Sequence, residues 1–368
     1  MKIAFDHQIF CTQTYGGISR YYFELARHLA SWQVEVEDVC IVSPLYKNEY
    51  LTQATSPLKL LGIKAPSIPR TGRLYSTIND LLFKSILDRL KPDILHETYY
   101  TAKSKTDRKK CKTVITVYDM IHELYANHFP AGDRTRHIKR HAVQRADHII
   151  CISEHTRQDL VRLLGVDPSR TSVVHLGFSL TAQASTNPIS RKPYLLYVGQ
   201  RSGYKNFKKL LHAYASSVSL RKSFDLIAFG GGVFSSDEYA LIQKLGLNKS
   251  QVIQYGGGDN ILASLYKNAA IFVYPSLYEG FGIPPLEAMS FDCPVACSNT
   301  SSLPEVLGNA AVFFDPELFE SIANTIELVL TDEVLAQSLV QRGRELIINF
   351  SWERCAQQTL DVYRRLVE

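Results

Sequence analysis

"IFVYPSLYEGFGIPPLEAMS", residues 271–290, reads as a strand, a turn and a helix in succession. "IFVYPS" is an apolar, aromatic and β-branched run of the kind that lies inside a parallel sheet. It delivers the chain to the sheet's carboxyl edge, where ligands bind in such folds. Gly280 and Gly282 allow a tight turn and close approach of the backbone to a ligand. Pro284 and Pro285 suit helix entry, where a missing N–H costs nothing. "PLEAMS" is then the start of the helix. The N–H groups of Phe281, Gly282 and Ile283 are expected to point outward at the positive end of the helix dipole, an anion site.

Glu279 and Glu287 stand eight positions apart around this turn. The reading places Glu279 on the strand-side lip and Glu287 within the helix's first turn, so the loop curls around one ligand. An ionised carboxylate is acceptor-only and suits vicinal hydroxyls. Phosphate on the amides and diols on the acids describe a nucleotide sugar. Taken singly, Glu287 could merely stabilise the dipole and Glu279 could be a solvated loop charge.

Outward from this stretch, β-rich runs alternate with helical patterns, which predicts parallel sheets with helices on both faces. "KIAFD", "VCIVS", "DILHE", "KTVITVYD", "HIICIS" and "TSVVHLG" (171–177) are strand candidates in the first half. "YLLYVG", "FDLIAFGGG", "VIQYGG", "PVACS" and "AVFFD" are candidates in the second. The polar stretch 179–193 carries two prolines and no periodicity, and reads as a linker. The expected organisation is a Rossmann-like domain over 1–180, another over 190–350, and a last helix over 351–368.

At 368 residues, with 45% apolar and 21% charged residues, the chain has a soluble, globular composition and is long enough for two domains. No apolar run approaches the roughly 20 residues of a membrane span. "MKIAFDHQIFCTQ" lacks the apolar stretch of a signal peptide. These features predict a cytoplasmic protein that touches the inner face of a membrane at most. Seven scattered cysteines without a Cys-x-x-Cys read as free thiols in a reducing compartment. Residues 1–180 hold 25 Lys/Arg against 18 Asp/Glu, concentrated in "AKSKTDRKKCK" (102–112) and "RTRHIKRHAVQR" (134–145). Solvated surfaces are one reading. A patch meeting anionic lipid headgroups or a phosphorylated acceptor is the other. Nucleic acid is disfavoured, since the runs lack interleaved aromatics.

"YPSLYEGFGIPPLEAMSFDCPVACSNTSSLPEVLGNAAVFFDP" (274–316) resembles the signature of the family 4 retaining glycosyltransferases, a Glu, seven residues, then Glu. The similarity extends through "LLYVGQRSGYKNFKKLLHAY", "VIQYGGGDNILASLYKNA" and "FSWERCAQQTLDVYRRL". It implies a GT-B fold, two Rossmann-like domains facing across a cleft with the last helix returning to the first. It also implies that Glu287 grips the nucleotide ribose and that Glu279 touches hydroxyls of the transferred sugar. Arg201 and Lys205 in "GQRSGYKN" match the family's pair for the leaving diphosphate. Gly16 and Gly17 match a loop facing donor phosphates and acceptor.

Asp119 keeps the family's His-Asp match, whereas Tyr118 replaces the His that contacts the donor sugar. His96 and Glu97 end a strand and read either as acceptor-side groups or, for His96, as a buried, satisfied histidine. No Asp-x-Asp occurs, so no obligatory metal or other cofactor is expected beyond the nucleotide sugar itself. "AFGGGVFSS" has Ser235 where a dinucleotide fingerprint needs its third glycine, which excludes an NAD-dependent oxidoreductase reading. The expected reaction moves a hexose, GDP-mannose favoured as donor, to a glycan or lipid-linked oligosaccharide of a surface polysaccharide. The alternatives are a UDP-sugar donor, a nucleotide-sugar epimerase, and a non-catalytic nucleotide-sugar binding protein.

Overall fold

The structure, a computed structural model, describes the chain except for residues 35, 67, 69, 70, 104, 105, 107–110, 180, 181, 186–189 and 191, and the side chains of 72 and 73. The chain forms two compact units. The first comprises Met1–Leu124, Phe129–Gly177 and Ser351–Glu368; the second comprises Tyr125–His128 and Phe178–Phe350.

Among the described residues the first unit is built on β1 (Lys2–Phe5), β2 (Asp38–Tyr46), β3 (Lys59–Lys64), β4 (Ile94–Glu97), β5 (Lys112–Val117), β6 (His148–Cys151) and β7 (Thr171–Val173). They form one sheet in the order β3-β2-β1-β4-β5-β6-β7, every neighbour parallel. The second unit repeats the plan with β8 (Tyr194–Val198), β9 (Asp225–Phe229), β10 (Val252–Tyr255), β11 (Ile271–Tyr274), β12 (Val295–Ser298) and β13 (Val312–Phe314). Its order is β10-β9-β8-β11-β12-β13, again parallel throughout. In each sheet the order reverses beside the first strand, between β1 and β4 and between β8 and β11. A doubly wound fold opens its ligand crevice at that point.

The sequence dictates this burial. β8, β9, β11 and β12 are buried along their whole length, as strands covered on both faces must be. Phe207, Leu210, Leu211 and Tyr214 of the helix Phe207–Ser216 pack with Leu195, Ile271 and Ile326 in one apolar cluster. Some helix starts are set by side chains. Ser235 and Glu238 form a reciprocal capping box at the helix Ser236–Lys244, and Ser351 accepts the Arg354 N–H where the last helix begins.

That last helix, Trp352–Val367, belongs to the first unit. Trp352 lies 6.3 Å from Tyr21 of the helix Gly17–Ser31, and the Tyr363 hydroxyl meets His96 Nδ1 at 2.5 Å. Three local readings need correction. The strand expected over 171–177 ends at Val173, because its partner strand β6 ends at Cys151 and offers nothing further to pair with. β3 and the long helix Gly72–Leu90 carry no expectation at all; β3 is an edge strand with Ile63 exposed, and the helix leaves Leu74 and Leu81 exposed, so neither shows a clean apolar face. The segment Tyr125–His128, inside the span expected for the first domain, groups with the second. Tyr125 packs near Tyr204 and Tyr278, and His128 lies against Gly203.

Candidate functional site

The carboxyl edge of the second sheet gathers several of the residues singled out from sequence. β8 leads into the loop holding Arg201 and Lys205, and β11 leads into the loop holding Glu279. Lys205 Nζ donates to Glu279 Oε1 at 2.6 Å, joining the two loops across the switch point. Both side chains are largely buried, 18% and 10% exposed. Lys205 also lies over the rings of Tyr204 and Tyr274 at 5.2 and 5.7 Å. Burial, then the Glu279 charge, pushes the Tyr274 phenol well above its usual range, so it stays protonated.

Each loop is pinned by polar contacts. The Glu279 N–H donates to Ser301 Oγ at 2.9 Å, and Ser302 Oγ donates to the Glu279 and Phe281 carbonyls. Asn206, in the left-handed conformation at φ +59°, donates to the carbonyls of Pro275 and Pro316. The two serines and the asparagine have no signal of their own in sequence, although an Asn after a strand is a common choice for a left-handed turn.

Arg201 is placed differently from Lys205. Its Nε donates to Glu238 Oε1 at 2.7 Å, and Nη2 reaches the carbonyls of Gly232 and Val233 at 3.0 and 3.1 Å. Nη1 donates to the Gly230 carbonyl. The guanidinium, 3% exposed, thus holds the turn after β9. Burial opposes ionisation of Glu238, yet the Arg201 hydrogen bond prevails and holds its carboxyl below the usual range. The "GGG" run therefore has a structural use. Gly230, Gly231 and Gly232 all have φ between +68° and +90°, which turns successive carbonyls onto one cation.

The helix after the motif spans Ile283–Ser290, with Gly282 as N-cap at φ +107°. A Cβ at Gly282 would meet Leu303 Cδ2 at 2.7 Å, so both conformation and packing demand glycine. The expectation for Glu287 is corrected here: it falls in the second turn, because the helix begins at Ile283 and the prolines occupy its next two positions. Those prolines also remove two of the amides that a helix start offers, which leaves Gly282 and Ile283 as its donors. Phe281 is buried, its ring edge-on to Phe350 at 5.6 Å. Glu287 Oε2 accepts from the buried Tyr266 hydroxyl at 3.2 Å, a positioning contact that sequence reading missed.

The remaining candidates lie in the first unit. Gly16 caps the helix Gly17–Ser31 in an extended conformation, and a Cβ at Gly17 would meet nothing within 4 Å, so packing does not impose glycine there. Asp119 follows β5; its Oδ1 accepts the Ile121 N–H at 3.0 Å, and its carbonyl accepts from the buried Lys139, which also pairs with Glu123. Tyr118 is buried against Tyr21. His96 is the satisfied histidine of the two readings: Nδ1 meets Tyr363, Nε2 meets Thr116 at 2.9 Å, and burial pushes its pKa down to about 3. Glu97 is buried against the Arg145 guanidinium. The basic helix Thr135–Arg145 thus turns Lys139 and Arg145 inward and exposes Arg136, His137 and His141. The run 102–112 lies largely outside the described residues.

Among the described residues, no group of three or more His, Cys, Asp or Glu side chains is placed to hold a metal ion, and no helix is long and apolar enough to cross a membrane. The seven cysteines are all buried free thiols.

Comparison with known proteins places this geometry. Residues 15–182 match the Glycosyltransferase Family 4 model, and residues 180–346 match the Glycosyl transferases group 1 model. The chain is 28% identical to the O-antigen chain mannosyltransferase B of Escherichia coli over 95% of its length and 96% of that protein's. Among solved structures it resembles the sucrose-phosphate synthase of Thermosynechococcus elongatus, with TM-score 0.75, 21% identity, and coverage of 100% and 99% of the two chains. It also resembles Anabaena Alr3699/HepE in complex with UDP-glucose, with TM-score 0.73, 18% identity, and coverage of 99% and 100%. Two successive family models across nearly the whole length, on two Rossmann-like sheets of the GT-B type, make the chain a member of the family 4, group 1 glycosyltransferases.

Proposed function

We propose that this glycosyltransferase moves a hexose, with retained anomeric configuration and without an obligatory metal, from a nucleotide diphosphate sugar to a hydroxyl of a glycan or lipid-linked oligosaccharide in surface polysaccharide assembly. The observation that carries the reading is the Lys205–Glu279 pair at the switch point of the second sheet, beside the amino end of the helix Ile283–Ser290. A cation for phosphate and an acceptor for sugar hydroxyls stand within one hydrogen bond of each other.

In this reading Glu287, oriented by Tyr266, takes the ribose hydroxyls. The Gly282 and Ile283 amides and Lys205 take the pyrophosphate, while Arg201 adds positive charge from a fixed position. As the C1–O bond to phosphate breaks, negative charge grows on the leaving oxygen and positive charge on the sugar ring. Preorganised donors stabilise the former by a few kcal/mol each. The acceptor oxygen bonds to C1 on the face the phosphate leaves, and its proton passes to a phosphate oxygen. On the family resemblance, Gly16 and Gly17 are assigned to the loop facing the donor phosphates and acceptor, and Asp119 to the catalytic set as the retained half of the His-Asp match.

GDP-mannose is favoured because the relative matched over almost its full length is named a mannosyltransferase. A UDP-sugar is the second reading, favoured by the neighbour solved with UDP-glucose. Thermal-shift titration with GDP, UDP and their sugars tests both. A ligand at 100 times its dissociation constant stabilises by about 2.7 kcal/mol. Glu287→Ala is expected to abolish the nucleotide's shift, whereas Glu279→Ala keeps nucleotide binding and loses transfer. Equal responses of the two variants would overturn the division of roles.

A further inference from the structure

Lys205 and Glu279 neutralise each other before any ligand arrives, at 2.6 Å and with little exposure. Arg201 is likewise matched by Glu238. The cations of this edge therefore do not form an open positive pocket that would bind any phosphate. Nor are the loops placed to drift apart, since Ser301 and Ser302 hold one and Asn206 holds the other. A ligand that engages Lys205 must answer for the carboxylate it strands, because a partly buried charge without a partner is costly.

Ligands differ in whether they can do so. An intact donor brings phosphate oxygens for Lys205 and sugar hydroxyls for Glu279, replacing both halves of the ion pair. The nucleoside diphosphate left after transfer brings only phosphate, and sets its negative charge beside the stranded carboxylate. We infer that the Lys205–Glu279 pair is a latch that discriminates the intact donor from the spent nucleoside diphosphate, opening for the first and closing to expel the second. This rests on the donor-site reading above and deepens it: Glu279 contacts the sugar and also sets how weakly the product is held.

The test is calorimetric titration of GDP and UDP, at one ionic strength, into the wild type, Glu279→Gln, Lys205→Met and the double variant. Glu279→Gln keeps the side-chain volume and removes the charge. The latch requires Glu279→Gln to bind the nucleoside diphosphate at least fivefold more tightly than wild type. It also requires this gain to be at least threefold larger with Lys205 present than in the Lys205→Met background, where only carboxylate–phosphate repulsion is relieved. Unchanged or weaker binding by Glu279→Gln overturns the latch while leaving the donor site standing, provided the wild type binds. Equal gains in the two backgrounds also overturn it, since the pair would then play no part. If neither nucleotide binds any of the four proteins, the donor-site reading itself fails, and the latch with it.

Discussion

The two sheets share a strand order, yet their carboxyl edges are finished in opposite ways. In the first unit the acidic and histidine side chains at the switch point bond to fixed groups of the protein. Asp6, fully buried, accepts from the Thr98 N–H and hydroxyl and from Gln8 Nε2; Glu97 pairs with Arg145; His96 lies between Tyr363 and Thr116. In the second unit the corresponding edge carries two ion pairs, Lys205 with Glu279 and Arg201 with Glu238, the arginine also held by backbone carbonyls. A Rossmann sheet offers the same crevice each time. The side chains at its edge decide how that crevice is filled.

The largest effect that would sharpen this contrast is acid sensitivity. His96 titrates near 3 in the folded chain, against about 6.5 when unfolded. Between those values the unfolded chain binds a proton that the folded chain does not. Stability is thus complete above about pH 6.5 and falls as pH drops toward about 3, by about 1.4 kcal/mol per pH unit for this residue. His148, pushed down to about 4 by burial and by Arg365 and Arg170, acts in the same direction in the same unit. Trp32 and Trp352 both belong to the first unit. Tryptophan fluorescence during denaturation should therefore lose its midpoint faster with falling pH than circular dichroism of the whole chain, and His96→Asn should flatten that slope. Coincident profiles would break the contrast.

A smaller effect probes how Arg201 is held. Gly231→Ala places a Cβ 2.7 Å from Arg201 Nη1 at φ +68° and should cost about 2 kcal/mol or more in denaturant unfolding, with weaker nucleotide binding. Gly232→Ala, at φ +72° with nothing within 4 Å, should cost only the backbone part, about 1–2 kcal/mol. Equal losses would remove the Arg201 contact from the account. The smallest expected effect is that of Tyr266→Phe, which deletes one hydrogen bond to Glu287, worth about 1 kcal/mol. Nucleotide affinity measured by calorimetry should fall about fivefold; an unchanged value would mean that Glu287 is oriented without the phenol.

What was legible in the sequence follows the same division. Strands buried on both faces, such as "YLLYV" and "IFVY", announce themselves because every side chain must be apolar. The Glu-seven-Glu motif is local, so its loop could be read residue by residue. The setting of Arg201 was not legible, since its partners are mostly backbone carbonyls about 30 residues away, and a carbonyl has no residue type. The shift of Glu287 into the second turn depends on where a positive-φ glycine ends the loop, a matter of one conformation. The sequence leaves His96 two readings because the hydroxyl that settles it lies 267 positions along the chain.

That separation bears on how the protein is made. A ribosome emits residues in order, yet the first unit keeps Tyr22, His96 and Thr116 beneath a helix that emerges only with residues 352–367. When the last strand of the second unit, Val312–Phe314, has been made, the helix that covers these side chains has still to be synthesised. The first unit's buried surface is thus closed by a segment that is translated after every strand of the second.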